Sequence, residues 1–339
     1  MNHLPQPYRR LVEQTLQPTL LPADDRFVSA WHSWSDAERA AVVQAWASGR
    51  PLLVRGEAGC GKSQLARAAA AVLDVPLIAE VIHPRFEATD LLYREDPVER
   101  LAQAQLIAAI KPQTSDAAVQ LRWLKEQLAP EQFIRHGPVW HAMEAPPPTD
   151  KGERWPRAVI LIDEIDKADS DVPNALLEVL GNRSFSVPGR SDPVRCDLDH
   201  APLIIITTNE DRELPPAFLR RCAVLNMRPD DASETEFVPW LLQRTRAHAA
   251  LAVLDGDASS PMARAAAQVW ADRKAATAQG LPSVGLAECL DLLYSLLYLS
   301  DGDPARANAL LAQVAPFALV KHRELDQKRP PVDRPDDSD

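Results

Sequence analysis

Gly56-Glu57-Ala58-Gly59-Cys60-Gly61-Lys62-Ser63 has the spacing GxxxxGK[ST]. It lies between the apolar run Pro51-Leu52-Leu53-Val54 and an alanine-rich run over residues 64–73. That is the strand–loop–helix context in which the spacing carries chemistry. Glycines let successive backbone N–H groups turn toward an anion. A helix opening at the end of the loop adds the positive end of its dipole. Lys62 then supplies a charge for β- and γ-phosphates, and Ser63 an oxygen ligand for Mg2+. The whole segment from Gly56 to Gln64, with Glu57, Ala58, Gly59, Cys60 and Gly61 inside it, is the candidate phosphate cradle. The chain has only 12 glycines against 30 prolines, so three glycines within six residues stand out from its composition.

Three further groups have matching chemistry. Val159-Ile160-Leu161-Ile162-Asp163-Glu164 is an apolar run ending in two carboxylates. At the tip of a buried strand, Asp163 is placed to hold the Mg2+ shell, and Glu164 to orient and deprotonate a water. The run 203–207 ends in Thr207-Thr208-Asn209, a polar tip suited to a γ-phosphate or to that water. Pro216-Ala217-Phe218-Leu219-Arg220-Arg221 places two guanidinium groups beyond it. Either can neutralise charge developing on a transferring phosphoryl group. Other clusters read as packing. Trp31, Trp34 and Trp46 fit a core around the first helix better than a stacking platform for bases. The eight histidines show no metal-ligand spacing, and the four cysteines form no CxxC pair.

These groups need elements to hold them. Ser35 with Glu38 forms a capping-box pattern that opens a helix to about residue 47, with Ala40, Val43 and Trp46 on one face and Gly49 as its stop. Strands are predicted at 51–54, 75–82, 158–162 and 203–207. Helices are predicted at 64–73, 116–128 and 172–180. Asp96-Pro97-Val98-Glu99 starts another, running to about residue 110. Residues 185–187 and 194–196 suit a hairpin. Residues 145–155, with three consecutive prolines, read as an exposed loop. Residues 1–30 read as an irregular arm with one short helix near 8–16. After Pro229 the pattern turns helical until about Arg323, and 324–339 is polar and reads as a disordered tail. Strands alternating with helices predict a parallel α/β sheet.

Length and composition agree with this plan. A chain of 339 residues that is 46% hydrophobic and 25% charged has material for two domains. A net charge of −11 disfavours indiscriminate binding to nucleic acid or anionic membrane. No apolar stretch approaches the roughly 20 residues of a membrane helix. Met1-Asn2-His3-Leu4-Pro5 has no basic-then-apolar leader pattern, so a cytoplasmic location is the expectation.

Together the motifs resemble the AAA+ ATPases, specifically the MoxR branch of the helix-2-insert clade. The resemblance spans about residues 41–228, and more loosely a lid to about residue 320. It rests on Leu53-Val54-Arg55-Gly56-Glu57 entering the P-loop, on Asp163-Glu164-Ile165-Asp166-Lys167-Ala168 as Walker B, and on Phe133 with Gly137-Pro138 before it. It implies an α/β fold: a P-loop AAA+ αβα sandwich with a parallel sheet over residues 31–230, with an insertion within about 82–156. A small all-helical lid would follow over 231–323. It also implies ATP and Mg2+ as ligands, Asn209 as sensor 1 and Arg221 as the arginine finger. By the same resemblance the chain would assemble as a homo-oligomer, a hexameric ring. It would remodel a protein partner, in some relatives one with a von Willebrand factor A domain. The sequence departs from the family at sensor 2. Pro282-Ser283-Val284-Gly285-Leu286 carries no basic residue, which leaves Arg264 or Arg273 as lid candidates. An aromatic–hydrophobic–glycine pore loop is also missing, which counts against a threading unfoldase. Two alternatives stand beside this reading. One is a motor subunit like the McrB GTPases, to whose sensor region Thr208-Asn209-Glu210-Asp211-Arg212 is similar. The other is a nucleotide-gated scaffold without hydrolysis.

Overall fold

The computed structural model describes residues 9–13, 17–109, 117–147, 155–227 and 233–321. Short apolar runs between turn residues form strands, and capped amphipathic stretches form helices. In order they are β1 (Thr19–Leu21), β2 (Ala30–His32), α1 (Asp36–Ser48), β3 (Leu52–Arg55), α2 (Lys62–Leu73), β4 (Leu77–Val81), β5 (Tyr93–Glu95), α3 (Pro97–Ala109), α4 (Ala117–Gln127), β6 (Ile134–His136), α5 (Pro138–Glu144), β7 (Val159–Asp163), α6 (Asp171–Asn182), β8 (Ser184–Phe185), β9 (Val194–Arg195), β10 (Leu203–Thr208), α7 (Pro216–Leu219), β11 (Ala223–Asn226), α8 (Glu234–Thr245), α9 (Pro261–Thr277), α10 (Leu286–Ser300) and α11 (Pro304–Leu319). None of the described helices is long and apolar enough to cross a membrane.

Contacts divide the chain into two units. The first comprises Met1–Thr15, Asp36–Arg55 and Ala69–Leu225. Its centre is a five-stranded sheet of order β11–β3–β10–β7–β4, in which the pairs β3–β10, β10–β7 and β7–β4 are parallel. β10 is buried at all six positions, and β7 at its first four. Such two-sided burial selects continuous Ile, Leu and Val runs rather than alternation. The register sets Val54 beside Thr207, Arg55 beside Thr208, and Ile206 beside Ile162. The carboxyl ends of β3, β10 and β7 therefore lie along one edge of the sheet. Beneath that edge, Leu53, Ile160 and Ile206 pack with Trp140 of α5, Leu176 of α6 and Phe218 of α7.

The second unit comprises Leu16–Ser35, Gly56–Ala68 and Asn226–Asp339. Its helices α8 to α11 enclose a separate core that includes Phe237, Leu241, Val269, Leu293 and Leu311. Two of them begin as their sequences dictate. Ser260 caps α9 by accepting from Ala263 N at 3.3 Å, and Asp303 caps α11 by accepting from Ala305 N at 2.9 Å. Each cap is followed by a proline at the first helical position, where the missing N–H costs nothing.

Several expectations need correction. The buried face of α1 is Glu38, Val42, Ala45 and Trp46, because the helix turns its Ala40 side to solvent. Residues 17–35 are not wholly irregular: β1 pairs antiparallel with β2, and Trp34 Nε1 donates to Thr19 Oγ1 at 3.1 Å. Of the short helix expected near 8–16, residues Arg9–Glu13 form one π-type turn. β5 and β6 make an antiparallel ladder across a long sequence gap, and β11 adds a strand beside β3; neither was expected. The expected tail, 324–339, lies outside the described residues, as does most of the proline loop. The end of that loop, Trp155, is fully buried rather than exposed, and its Nε1 donates to Leu73 O at 3.0 Å. Trp155→Ala should therefore cost about 3–5 kcal/mol of stability, the usual range for emptying a large aromatic site. Chemical denaturation checks this, and a cost below about 1 kcal/mol would show that Trp155 does not support the core.

Candidate phosphate-binding and carboxylate site

After β3 ends at Arg55, the chain passes into the second unit, turns through Gly56–Gly61 and enters α2 at Lys62. The turn needs its glycines for two reasons. Gly59 and Gly61 sit at φ +76° and +102°, a region that side chains rarely adopt. A Cβ at Gly56 would lie 2.4 Å from Met227 O, and one at Gly59 would lie 2.7 Å from Ala287 Cβ. The loop thus has no room for a side chain at Gly56 or Gly59. Lys62 is 6% exposed, and its Nζ donates to Gly56 O at 2.9 Å and Glu57 O at 2.8 Å. The ammonium is held within the curve of the loop, at the start of a helix whose first N–H groups lack intrahelical acceptors. Cys60 is buried, and burial pushes its thiol pKa up, so it fills space as a neutral thiol. A polyphosphate fits this donor set, because the Lys62 ammonium and the unpaired N–H groups at a helix start supply positive charge beside the glycine turn.

A further contact here was not foreseen. Arg273 of α9 makes a bidentate pair with Glu57, Nη2 to Oε1 at 2.7 Å and Nη1 to Oε2 at 2.8 Å. The other lid candidate, Arg264, bonds instead to Asn308 Oδ1 at 2.9 Å. No local sequence signal distinguishes the two, since both are arginines of one helix.

In the first unit, Asp163 ends β7 and Glu164 follows it in the left-handed region, at φ 61° and ψ 48°. A non-glycine residue there is uncommon, and the strain is of the kind kept where surrounding contacts fix it. One fixing contact is visible. Thr207, fully buried on the neighbouring β10, accepts from Glu164 N at 2.9 Å and donates to Asp163 Oδ1. The same hydroxyl therefore fixes the first carboxylate and the backbone of the second. Asn209 Nδ2 donates to Glu164 Oε1 at 3.3 Å, and Lys167 Nζ pairs with Glu164 Oε2. The hydrogen bond to Glu164 pushes the Lys167 pKa up, so its ammonium stays charged near neutrality. Asp166 is buried, and its Oδ2 accepts from Asp211 N at 3.0 Å, tying the loop after β10 to that after β7.

Of the expected residues, the structure brings Asp163, Glu164 and Asn209 together, with Thr207 as their link. Thr207 stood in the expected polar tip, but its two hydrogen bonds to the acidic pair depend on strand register. Arg220 and Arg221 follow α7, both exposed, and neither side chain has a partner among the described residues.

A five-stranded sheet of this order, flanked by helices, with a phosphate loop after β3 and a helical C-terminal region, defines a P-loop AAA fold. Residues 51–222, half of the chain, match the family described as the AAA domain (dynein-related subfamily), and the chain belongs to it. No curated protein sequence matches it. Among solved structures it is similar to NtrX from Brucella abortus in complex with ATP, at 15% identity and TM-score 0.46, over 87% of this chain and 58% of that one. A second NtrX structure from Brucella abortus gives 17% identity and TM-score 0.44, over 79% of this chain and 51% of that one, so the chain spans about half of NtrX. A RuvB mutant from Thermotoga maritima gives 13% identity and TM-score 0.42, over 82% and 68%. The family assignment rests on the sequence match and not on these likenesses.

Proposed function

We propose that this chain is an ATP-hydrolysing AAA+ ATPase of the MoxR type, acting as an oligomeric ring on a partner protein. The observation that supports hydrolysis, beyond binding alone, is the acidic pair: Thr207 holds Asp163 and the Glu164 backbone, while Asn209 holds the Glu164 carboxylate. Two adjacent carboxylates fixed by different partners can take different roles.

In this reading the loop from Gly56 to Gln64 holds the phosphate chain through backbone N–H groups. Lys62 neutralises the β- and γ-phosphates. By the family resemblance Ser63 and Asp163 would hold Mg2+, which would offset phosphate charge. Glu164 accepts the proton of the attacking water, and Asn209 orients Glu164. Arg221 offsets charge on the transferring group of a neighbouring subunit's nucleotide. The remodelling role, the ring and a partner bearing a von Willebrand factor A domain follow from the MoxR resemblance.

Phosphate release by the purified chain with Mg2+ and ATP tests the reading. A protein that binds ATP yet releases no phosphate at concentrations where it assembles would overturn it in favour of a nucleotide-gated scaffold. Lys62→Ala should lose useful ATP binding, because no other side chain of the loop carries positive charge. Titration with ATP checks this, and near wild-type affinity would overturn the role of Lys62. Co-purification with the ATP-bound protein identifies the partner.

A further inference from the structure

The second position of the phosphate loop is an acid, Glu57. A fixed carboxylate on a loop that receives a polyanion opposes binding, unless another charge cancels it. Arg273 meets that need. Its side chain is 4% exposed, and both terminal nitrogens of its guanidinium reach Glu57. Nη1 also donates to the Val284 carbonyl at 3.2 Å, ahead of α10. The guanidinium carbon lies 5.2 Å from the centre of the buried Phe237 ring. The Phe237 ring and three hydrogen bonds to a carboxylate and a carbonyl orient this arginine along its pair with Glu57. Both residues belong to the same unit, and they are 216 residues apart in sequence.

We propose that Arg273 is a positioning residue for nucleotide binding that acts through Glu57: it cancels the carboxylate's charge and holds that side chain against the helical region. This rests on the proposed ATP-binding reading. The consequence is a pair of opposite signs. Removing the arginine charge leaves Glu57 facing the polyanion, so affinity falls. Removing the glutamate charge frees a cation beside the loop, so affinity rises. A purely structural pair behaves differently, since losing either partner then disturbs the loop and weakens binding in the same direction.

The test is titration of ADP, which is not turned over, into wild type, Arg273→Met, Glu57→Gln and the double variant at low and high salt. Methionine keeps the unbranched stem that packs on Phe237, and Arg273→Gln serves if Arg273→Met does not fold. Arg273→Met should weaken ADP binding about tenfold, and Glu57→Gln should tighten it severalfold. The double variant should return to within about threefold of wild type. Salt should shrink both single effects. If both singles weaken binding, or the double is no better than Arg273→Met, the charge-cancelling role is overturned while ATP binding stands. If wild type binds neither ADP nor ATP, the functional reading falls and this inference with it.

Discussion

Glu164→Gln should bind ATP with near wild-type affinity and release phosphate at least about a hundredfold more slowly, in keeping with the usual contribution of a positioned general base. The amide keeps the size of the side chain, and its carbonyl oxygen can still accept from Asn209. What it loses is the ability to take a proton. The fold should survive. The left-handed backbone at Glu164 is supported by Thr207 through the main-chain N–H, which the substitution leaves in place. The pair with Lys167 is partly exposed, and such pairs contribute little to stability. Phosphate release beside an ATP titration measures the effect, and turnover at the wild-type rate would remove Glu164 from the role of base.

Arg221→Ala should assemble and bind ATP, yet hydrolyse it slowly, because arginine fingers contribute on the order of 10³–10⁵ in rate. Arg221 is exposed, and among the described residues its side chain has no hydrogen-bond or ion-pair partner for the substitution to remove. If the residue serves a neighbouring subunit, specific activity should rise with protein concentration. Mixing Arg221→Ala with Lys62→Ala should then restore part of the activity, since some interfaces would join an intact loop to an intact arginine. Arg220, its exposed neighbour, is the control and should matter less. Full specific activity in a strictly monomeric protein would sink the proposal, as would mixing that restores nothing despite co-assembly.

Much of this site was legible because its parts are contiguous. The phosphate loop is eight consecutive residues whose glycines are needed by local backbone geometry, and two of them do take positive φ. β7 and β10 were legible for a related reason. A strand buried on both faces must be an unbroken apolar run, and the polar residues that end each run mark the edge of the sheet. The face of α1 was misread because alanine gives almost no periodic signal, so Ala40 and Ala45 could not be told apart by type.

The sequence by itself determined the phosphate loop, the acidic pair, the polar tip after β10 and the helical character of the C-terminal region, because each depends on neighbours within one turn or one strand. Only the tertiary structure decided which distant groups complete them. Thr207 reaches Asp163 across 44 residues through the parallel register of β10 and β7. Arg273 reaches Glu57 across 216 residues, whereas Arg264 on the same helix does not. Trp155 is buried against Leu73 although it follows a proline-rich stretch. These pairings follow from how strands align and helices pack, and no residue type or spacing near either partner encodes that choice.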